Sequence, residues 1–175
     1  MRIRTGLSGA FVVLALVLAG CGSGDSDAAA KGAPSASKAG KSEGACALLT
    51  PAEVGAKFGS TFGDGVPTRQ ETGADVCVWT STSGTPAKTF SITVLRQGNV
   101  EGALKSSGLQ VPELFAQAKA AYPKAAVIDL GDAAYATAGE VQVLDGDTWY
   151  SFSAYVGAGR TAVDGLKQLA TQVVG

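Results

Sequence analysis

The residues of this chain that could do chemistry are three cysteines, and the sequence contains no histidine. A cysteine thiol can be acylated, oxidised to a disulfide or used as a nucleophile. Because histidine is the commonest general base and metal ligand, its absence removes Ser-His-Asp and Cys-His catalysis. We therefore expect no enzyme, no catalytic residue, no cofactor and no metal. What surrounds Cys21, Cys46 and Cys77 decides the use of each thiol.

Cys21 closes an apolar segment. Two arginines near the N-terminus precede the apolar run Phe11–Leu18, which is shorter than the roughly 20 residues of a membrane span, so residues 1–20 are predicted to be a signal peptide. The segment ends in LAGC, Leu18–Cys21, which resembles the lipobox of bacterial lipoproteins. The resemblance implies cleavage before Cys21 and acylation of its thiol with two chains of the palmitate type, which anchor stably in membrane lipid. A plain secretory signal with an incidental cysteine is the alternative.

A polar linker follows the anchor over residues 21–45. Gly22–Ala45 holds no aromatic and no branched aliphatic residue, so it has nothing to bury and is predicted to be flexible, with a span of roughly 25–30 Å. Two motif matches fall inside it: Ser35–Lys38 fits S-x-x-K, and Gly40–Ser42 ends like a P-loop. A flexible tether cannot hold a nucleophile in place, and the P-loop glycine and its strand are missing, so we dismiss both motifs.

The other two cysteines, Cys46 and Cys77, lie in a segment that the signal peptide places outside the cytoplasm. Disulfides persist there, and closing a loop of about 30 residues stabilises a domain by roughly 3–4 kcal/mol, so we expect a disulfide. Free thiols are the alternative. Trp79, two residues beyond Cys77, should pack against the pair.

Residues 46–175 are enough for one domain with one core. Thr50–Glu53 has the pattern of a capping box that starts a helix ending at Gly59. Periodicity and turn signals predict further helices and five strand segments: helices at Val100–Ser107, Val111–Tyr122 and Thr161–Val174, and strands starting at Val76, Lys88, Asp132, Glu140 and Asp147.

This order predicts an α+β class fold: a single two-layer domain with an antiparallel sheet of about five to six strands and helices packed on one face. Each half of the domain reads as a helix followed by a strand meander, which suggests an internal pseudo-duplication.

Other candidate chemistry is weak. Asp129 with Asp132, and Asp145 with Asp147, sit at turns, where solvated carboxylates are ordinary turn formers. Gly157–Ala162 fits G-x-G-x-x-A. A dinucleotide fold would need a second strand with an acidic residue about 20 positions later, and the chain offers none, so we reject dinucleotide binding.

One sheet face is the best candidate for ligand binding. Alternation along the last strand puts Trp149, Ser151, Ser153 and Tyr155 opposite the core, and the strand from Thr89 turns its hydroxyls the same way. Together with Gln142 they would form a surface of hydroxyls and amide edged by aromatics, which suits a glycan or a peptide. The alternative is an ordinary solvated strand surface.

The ordered trio of CALLTPAEV at Cys46–Val54, CVWTS at Cys77–Ser81 and LGDAAYA at Leu130–Ala136, behind a lipobox, resembles a family of actinobacterial cell-envelope lipoproteins of unknown function. The resemblance covers essentially the whole mature domain. It implies that Cys46 and Cys77 correspond to the family's paired cysteines, and it supplies no catalytic residue.

We therefore expect a lipoprotein held by acylated Cys21 at the outer face of the cytoplasmic membrane, with a non-catalytic ligand-binding or sensing domain. The alternative is a scaffolding lipoprotein that recruits an envelope protein. The formal net charge of −1 and the lack of a basic cluster argue against nucleic acid as a partner. We expect the domain to be monomeric.

Overall fold

The computed structural model describes residues 44–156 and 160–175. Seven strands form one sheet: β1 (Val66–Arg69), β2 (Asp75–Thr80), β3 (Thr89–Arg96), β4 (Ala126–Ile128), β5 (Ala133–Ala136), β6 (Glu140–Asp145) and β7 (Thr148–Tyr155). The described α-helices are α1 (Pro51–Phe58), α2 (Gly102–Ser107), α3 (Val111–Ala120) and α4 (Arg160–Val174), and short 3₁₀ helices cover Gly44–Ala47 and Gln97–Asn99.

The sheet is antiparallel throughout, in the order β1-β2-β3-β7-β6-β5-β4. This confirms the predicted α+β class and all five predicted strand segments, and it adds two. The additional strands, β1 and β4, are the sheet edges, and they are only four and three residues long. Their side chains are largely exposed, so neither shows the alternation of apolar and polar residues from which a strand is predicted.

Local sequence fixes the start and end of α1. The Thr50 backbone N–H donates to Glu53 Oε2 at 2.6 Å, and the Glu53 N–H donates back to Thr50 Oγ1 at 3.3 Å. Pro51 occupies the first turn, and Gly59 ends the helix with a left-handed φ of 60°. The predicted capping box is therefore present with each part in place.

One side of the sheet, which we call the core face, packs against α1 and α4. Alternate residues of the central strands turn fully buried side chains to it, including Phe90, Ile92 and Phe152. From α4, Leu166, Leu169 and Ala170 pack into the same cluster. This face holds most of the apolar contact that stabilises the domain.

The sulfur atoms of Cys46 and Cys77 lie at disulfide distance in this cluster, with their Cα atoms 5.0 Å apart, which confirms the predicted pair. Trp79 is 1% exposed and its ring lies 5.3 Å from that of Phe90. A Cβ atom at Gly65 would overlap both Cys77 Sγ and the Trp79 indole. Glycine is needed there because the backbone runs directly over the cysteine pair.

The opposite side, which we call the polar face, also carries helices, so the prediction that helices pack on one face holds only for α1 and α4. Phe115 of α3 lies 5.5 Å from the Tyr135 ring and 5.7 Å from the Trp149 ring. These aromatics form a second apolar cluster with Leu95 and Leu144. Helices are needed on this side because one end of the polar face carries the apolar residues of this second cluster.

The predicted pseudo-duplication is visible in the strand order but not in the helices. The meanders β1–β3 and β4–β7 meet where β3 pairs with β7. A two-fold axis perpendicular to the sheet at that pair would place the helix preceding each meander on the same face. Instead α1 packs on the core face and α3 on the polar face, so the halves are not simple copies.

Residues 44–175 contain all seven strands, both apolar clusters and the cysteine pair. They belong to a compact unit, Lys38–Gly175. Because this unit has a core of its own, it is the part of the chain suited to binding and stability measurements.

Candidate functional site

The four predicted binding residues, Trp149, Ser151, Ser153 and Tyr155, all lie on the polar face of β7. Their neighbours Tyr150 and Phe152 turn to the core face, where the two rings stack 6.4 Å apart. Pairing places Thr93 and Gln142 on either side of Ser151, and Ser91 and Glu140 on either side of Ser153. The central strands therefore present a continuous polar patch.

This patch is the part of the polar face that α2 and α3 leave uncovered, and we call it the open surface. Its side chains are half-buried except that of Tyr155, which is 66% exposed. Its residues are Val78, Thr89, Ser91, Thr93, Glu140, Ser151, Ser153 and Tyr155.

Gln142 organises one end of the open surface. It is 7% exposed, and its Oε1 accepts a hydrogen bond from Trp149 Nε1 at 2.7 Å. Its Nε2 donates to Ser151 Oγ at 2.8 Å and to Glu140 Oε2 at 3.2 Å. Both Nε2 protons are donated and Oε1 accepts one hydrogen bond, so Gln142 fixes the positions of Trp149 and Ser151.

The serines have hydrogen-bonding capacity left over. Because Ser151 accepts from Gln142, its own hydroxyl proton is free to be donated. Ser91 Oγ and Ser153 Oγ are 2.8 Å apart, so one of them donates to the other and one proton remains. Thr93, the next residue of β3 on the same face, pairs with Ser151, and its hydroxyl has no hydrogen-bond partner among residues 44–156 and 160–175. The open surface thus offers several hydroxyl donors in a row.

Two depressions follow one another along β7. The first has a volume of about 220 Å³ and is lined by Gln142, Trp149 and Ser151, with Leu104 of α2 on its rim. The second, of about 400 Å³, is lined by Ser91, Glu140, Ser153 and Tyr155, among others. Trp149 and Tyr155 are about 20 Å apart along the strand, at roughly 3.3 Å per residue. The two aromatics do not meet in one cavity, and the site is long and shallow.

The charge of this site is simple. Among the described residues that line the two depressions, Glu140 is the one charged side chain, and none is cationic. A polyanion would find no positive partner here, whereas an uncharged polar chain would meet no electrostatic penalty.

Tyr135 borders this region from beneath α3. It is 1% exposed and stacks with Tyr122 at 6.1 Å. Burial raises the pKa of its hydroxyl, and the neighbouring Tyr122 and Glu140 raise it further. Tyr135 therefore remains protonated at physiological pH and serves as a packing residue rather than as a base.

The carboxylates that the sequence singled out form no metal-binding cluster within the part of the chain that the structure describes. It contains no group of three or more side chains that could hold a metal ion. Asp132 Oδ2 accepts a hydrogen bond from the Gly146 N–H at 2.7 Å, which ties the β6–β7 turn to the residue before β5. Asp147 Oδ1 accepts one from Thr148 Oγ1 at 3.3 Å. These two aspartates thus act as turn residues.

Other predicted features fall outside the described residues. These are the signal peptide 1–20, the acylation site Cys21, the linker up to residue 43, and the glycine segment 157–159. Within residues 44–156 and 160–175 no helix has both the length and the apolar character to cross a membrane.

Comparison with known proteins gives no match of any kind. No protein-family model matches the chain. No curated protein and no solved structure matches it either. The function must therefore be argued from the site itself.

The aromatic and serine positions and Gln142 of this site were predicted from the sequence. Glu140 was not predicted, nor was a separate groove near Tyr122 and Lys167. No sequence signal joins those two groove residues, because one follows α3 and the other lies on α4, at opposite sides of a whole strand meander.

Proposed function

We propose that this chain is a membrane-anchored extracytoplasmic lipoprotein whose domain binds a linear, uncharged glycan on the open surface. The anchoring half of the proposal is supported by the sequence, through the two arginines near the N-terminus, the apolar run Phe11–Leu18 and the segment Leu18–Cys21. It includes acylation of Cys21, a position at the outer face of the cytoplasmic membrane, and kinship with the actinobacterial envelope lipoproteins. The absence of histidine supports a non-enzymatic role.

The binding half is supported by the row of hydroxyl donors along β7, since no described residue that lines the two depressions is cationic. Sugar hydroxyls both donate and accept hydrogen bonds, so they match serine and threonine hydroxyls well. The 66% exposed Tyr155 ring offers an apolar surface for a sugar ring. The length of about 20 Å fits several linked sugars rather than a single one.

A glycan fits this surface better than an extended peptide. A peptide that binds by strand addition needs an unpaired strand edge. The strands under the open surface, β3, β6 and β7, are paired on both sides. Their backbone groups are already used, and only side chains are available to a ligand.

The two tryptophans permit a direct test. Trp79 is buried under the cysteine pair, so a Trp79→Phe variant of the Lys38–Gly175 unit leaves Trp149 as its single tryptophan. Titration with chitotetraose, a neutral linear oligosaccharide, should change the Trp149 emission with saturation. Adding Tyr155→Ala should weaken binding about tenfold, a typical effect of losing one aromatic stacking partner.

The matched control is Tyr122→Ala, which removes another partly exposed tyrosine, 49% exposed, from outside the open surface. It should leave the affinity unchanged. Equal loss in the two tyrosine variants, or no saturable change with chitotetraose, would count against a glycan site here.

A second candidate is the scaffolding lipoprotein that recruits an envelope protein. One observation favours it: Val66 on β1 is 63% exposed and lies on the polar face beside the half-buried Val78. A photo-crosslinking residue at Val66 in the full chain, in native membranes, should then give a discrete adduct. The same residue at Val127, 75% exposed at the other sheet edge, is the control and should give none.

The anchor has its own test. Cys21→Ser removes the thiol that acylation requires, so the full-length variant should leave the membrane fraction on salt washing while the unaltered chain stays. Retention of the variant in membranes would show that Cys21 is not the anchor.

A further inference from the structure

A second, larger groove lies away from the open surface. It has a volume of about 570 Å³ and is formed where the segment after α3 and the ends of β4 and β5 approach α4. Its size falls within the range of roughly 300–1,000 Å³ that is usual for small-molecule sites. The residues that matter for its chemistry are Tyr122, Lys124, Ala126, Ala136, Val163 and Lys167, and we call it the α4 groove.

The walls of the α4 groove are apolar. Ala126 on the edge strand β4 is paired with Ala136 on the neighbouring strand β5, and their methyl groups leave the space open. Val163 contributes from α4. Tyr122 also lines the groove, and its ring stacks on Tyr135 with an interplanar angle of 29°. An apolar chain would lose contact with water along this whole surface.

Two cations stand at the same groove. Lys124 comes from the α3–β4 connection and Lys167 from α4, and none of the described residues that line the groove is acidic. Among the described residues the ion pairs join Arg69 and Arg96 to Asp75 and Glu101, so neither groove lysine is neutralised. In a chain with a net charge of −1, this concentrates positive charge where the apolar walls are.

We propose that the α4 groove binds a free single-chain acyl carboxylate. Its alkyl chain would lie along the alanines, Val163 and Tyr122, and its carboxylate would be held by Lys124 and Lys167. A neutral lipid would leave two ammonium groups unused, and a small inorganic anion would leave the apolar walls uncovered. Only a ligand with both parts uses the whole lining. The site is independent of the glycan proposal, because the two surfaces share no lining residue.

Decanoate titrated into the Lys38–Gly175 unit, below its critical micelle concentration and followed by calorimetry, tests the proposal. We expect saturable one-to-one binding. Decanol, with the same chain and no charge, and acetate, with the charge and almost no chain, should each bind at least about tenfold more weakly.

Variants locate the site. The double change Lys124→Gln with Lys167→Gln should weaken decanoate binding about tenfold, as expected for two partly exposed charge contacts. The control pair Lys57→Gln with Lys105→Gln removes the same charge from α1 and α2, outside the groove, and should have no effect. Ala126→Trp should abolish binding by filling the groove, and aromatic residues are well tolerated in strands.

Three results would overturn the proposal: no decanoate binding, equal binding of decanol, or equal weakening in the two lysine pairs. Decanoate that still binds the Ala126→Trp variant, with an unchanged circular dichroism spectrum, would also overturn it. None of these results depends on whether chitotetraose binds the open surface, so the two proposals fail separately.

Discussion

The core face and the polar face belong to the same seven strands but differ in how far helices cover them. On the core face, Phe90, Ile92 and Phe152 are 0% exposed and α1 and α4 close over them. On the polar face, α2 and α3 cover only one end, and the remainder is hydroxyls and a bonded amide. Along β7, successive residues switch between the two environments. Alternate residues of a single strand can therefore serve stability on one face and ligand recognition on the other.

Truncating two neighbouring residues of β7 tests whether the core face and the polar face contribute differently to stability. Phe152→Ala removes a fully buried ring and should destabilise the unit by about 3–5 kcal/mol. Ser153→Ala, the next residue on the other face, loses one hydrogen bond to Ser91 and should cost about 1 kcal/mol. Urea denaturation of both variants decides the point. Similar losses in the free energy of unfolding would mean that the polar face contributes as much to stability as the core face.

The cysteine pair contributes to the core face alone. Cys46→Ala opens a loop with a sequence separation of 31 residues and should lower the free energy of unfolding by about 3 kcal/mol. Reducing agent should lower the denaturation midpoint of the unaltered unit and leave that of Cys46→Ala in place. A midpoint that does not respond to reductant would show that the bond makes no contribution.

On the polar face, the hydrogen bond between Gln142 and Trp149 can be tested by a double-mutant cycle. Gln142→Leu leaves the Trp149 N–H without its acceptor, and a buried unsatisfied donor costs about 1–3 kcal/mol. Adding Trp149→Phe removes that donor, so the double variant should recover part of the loss. Additive effects in this double-mutant cycle, measured by urea denaturation, would show that the two side chains are not coupled.

The smallest expected effect is a pH dependence at α1. The backbone N–H and hydroxyl of Thr50 donate to Glu53 and lower the pKa of its carboxyl. A depressed folded pKa stabilises the protein above the unfolded value, and this contribution is lost as the pH falls through the folded one. The stability gap between the unaltered unit and Glu53→Gln should therefore be constant near neutrality and shrink below about pH 4. A gap that does not change with pH would show that the charge of the Glu53 carboxylate does not contribute to stability.

Much of the fold could be predicted from local signals in the sequence. The capping box of α1 and the five alternating strand segments follow from nearest-neighbour chemistry. The cysteine pair follows from the cysteine count and the predicted compartment. The edge strands β1 and β4 could not be predicted, because short exposed strands are defined by their pairing partners. The position of α3 on the polar face depends on Phe115 meeting Tyr135 and Trp149, which are distant in sequence.

The candidate site was predictable only in part, for the same reason. Alternation along β7 fixes which side chains share a face, so Ser151, Ser153 and Tyr155 could be grouped. The charge and shape of the surface depend on where α2 and α3 end over the sheet and on Glu140, which pairs with Ser153 across β6 and β7. These are tertiary contacts that no local pattern encodes.

Methyl-group NMR of the Lys38–Gly175 unit during chitotetraose titration can locate the binding surface, because β3 carries methyl groups on both faces and Val78 of β2 adds one on the polar face. We expect saturable shifts for Val78 and Thr93 on the open surface, with Ile92 and Val94 on the core face unmoved. No shifts at saturating oligosaccharide, or shifts equal on both faces, would contradict a binding site on the open surface.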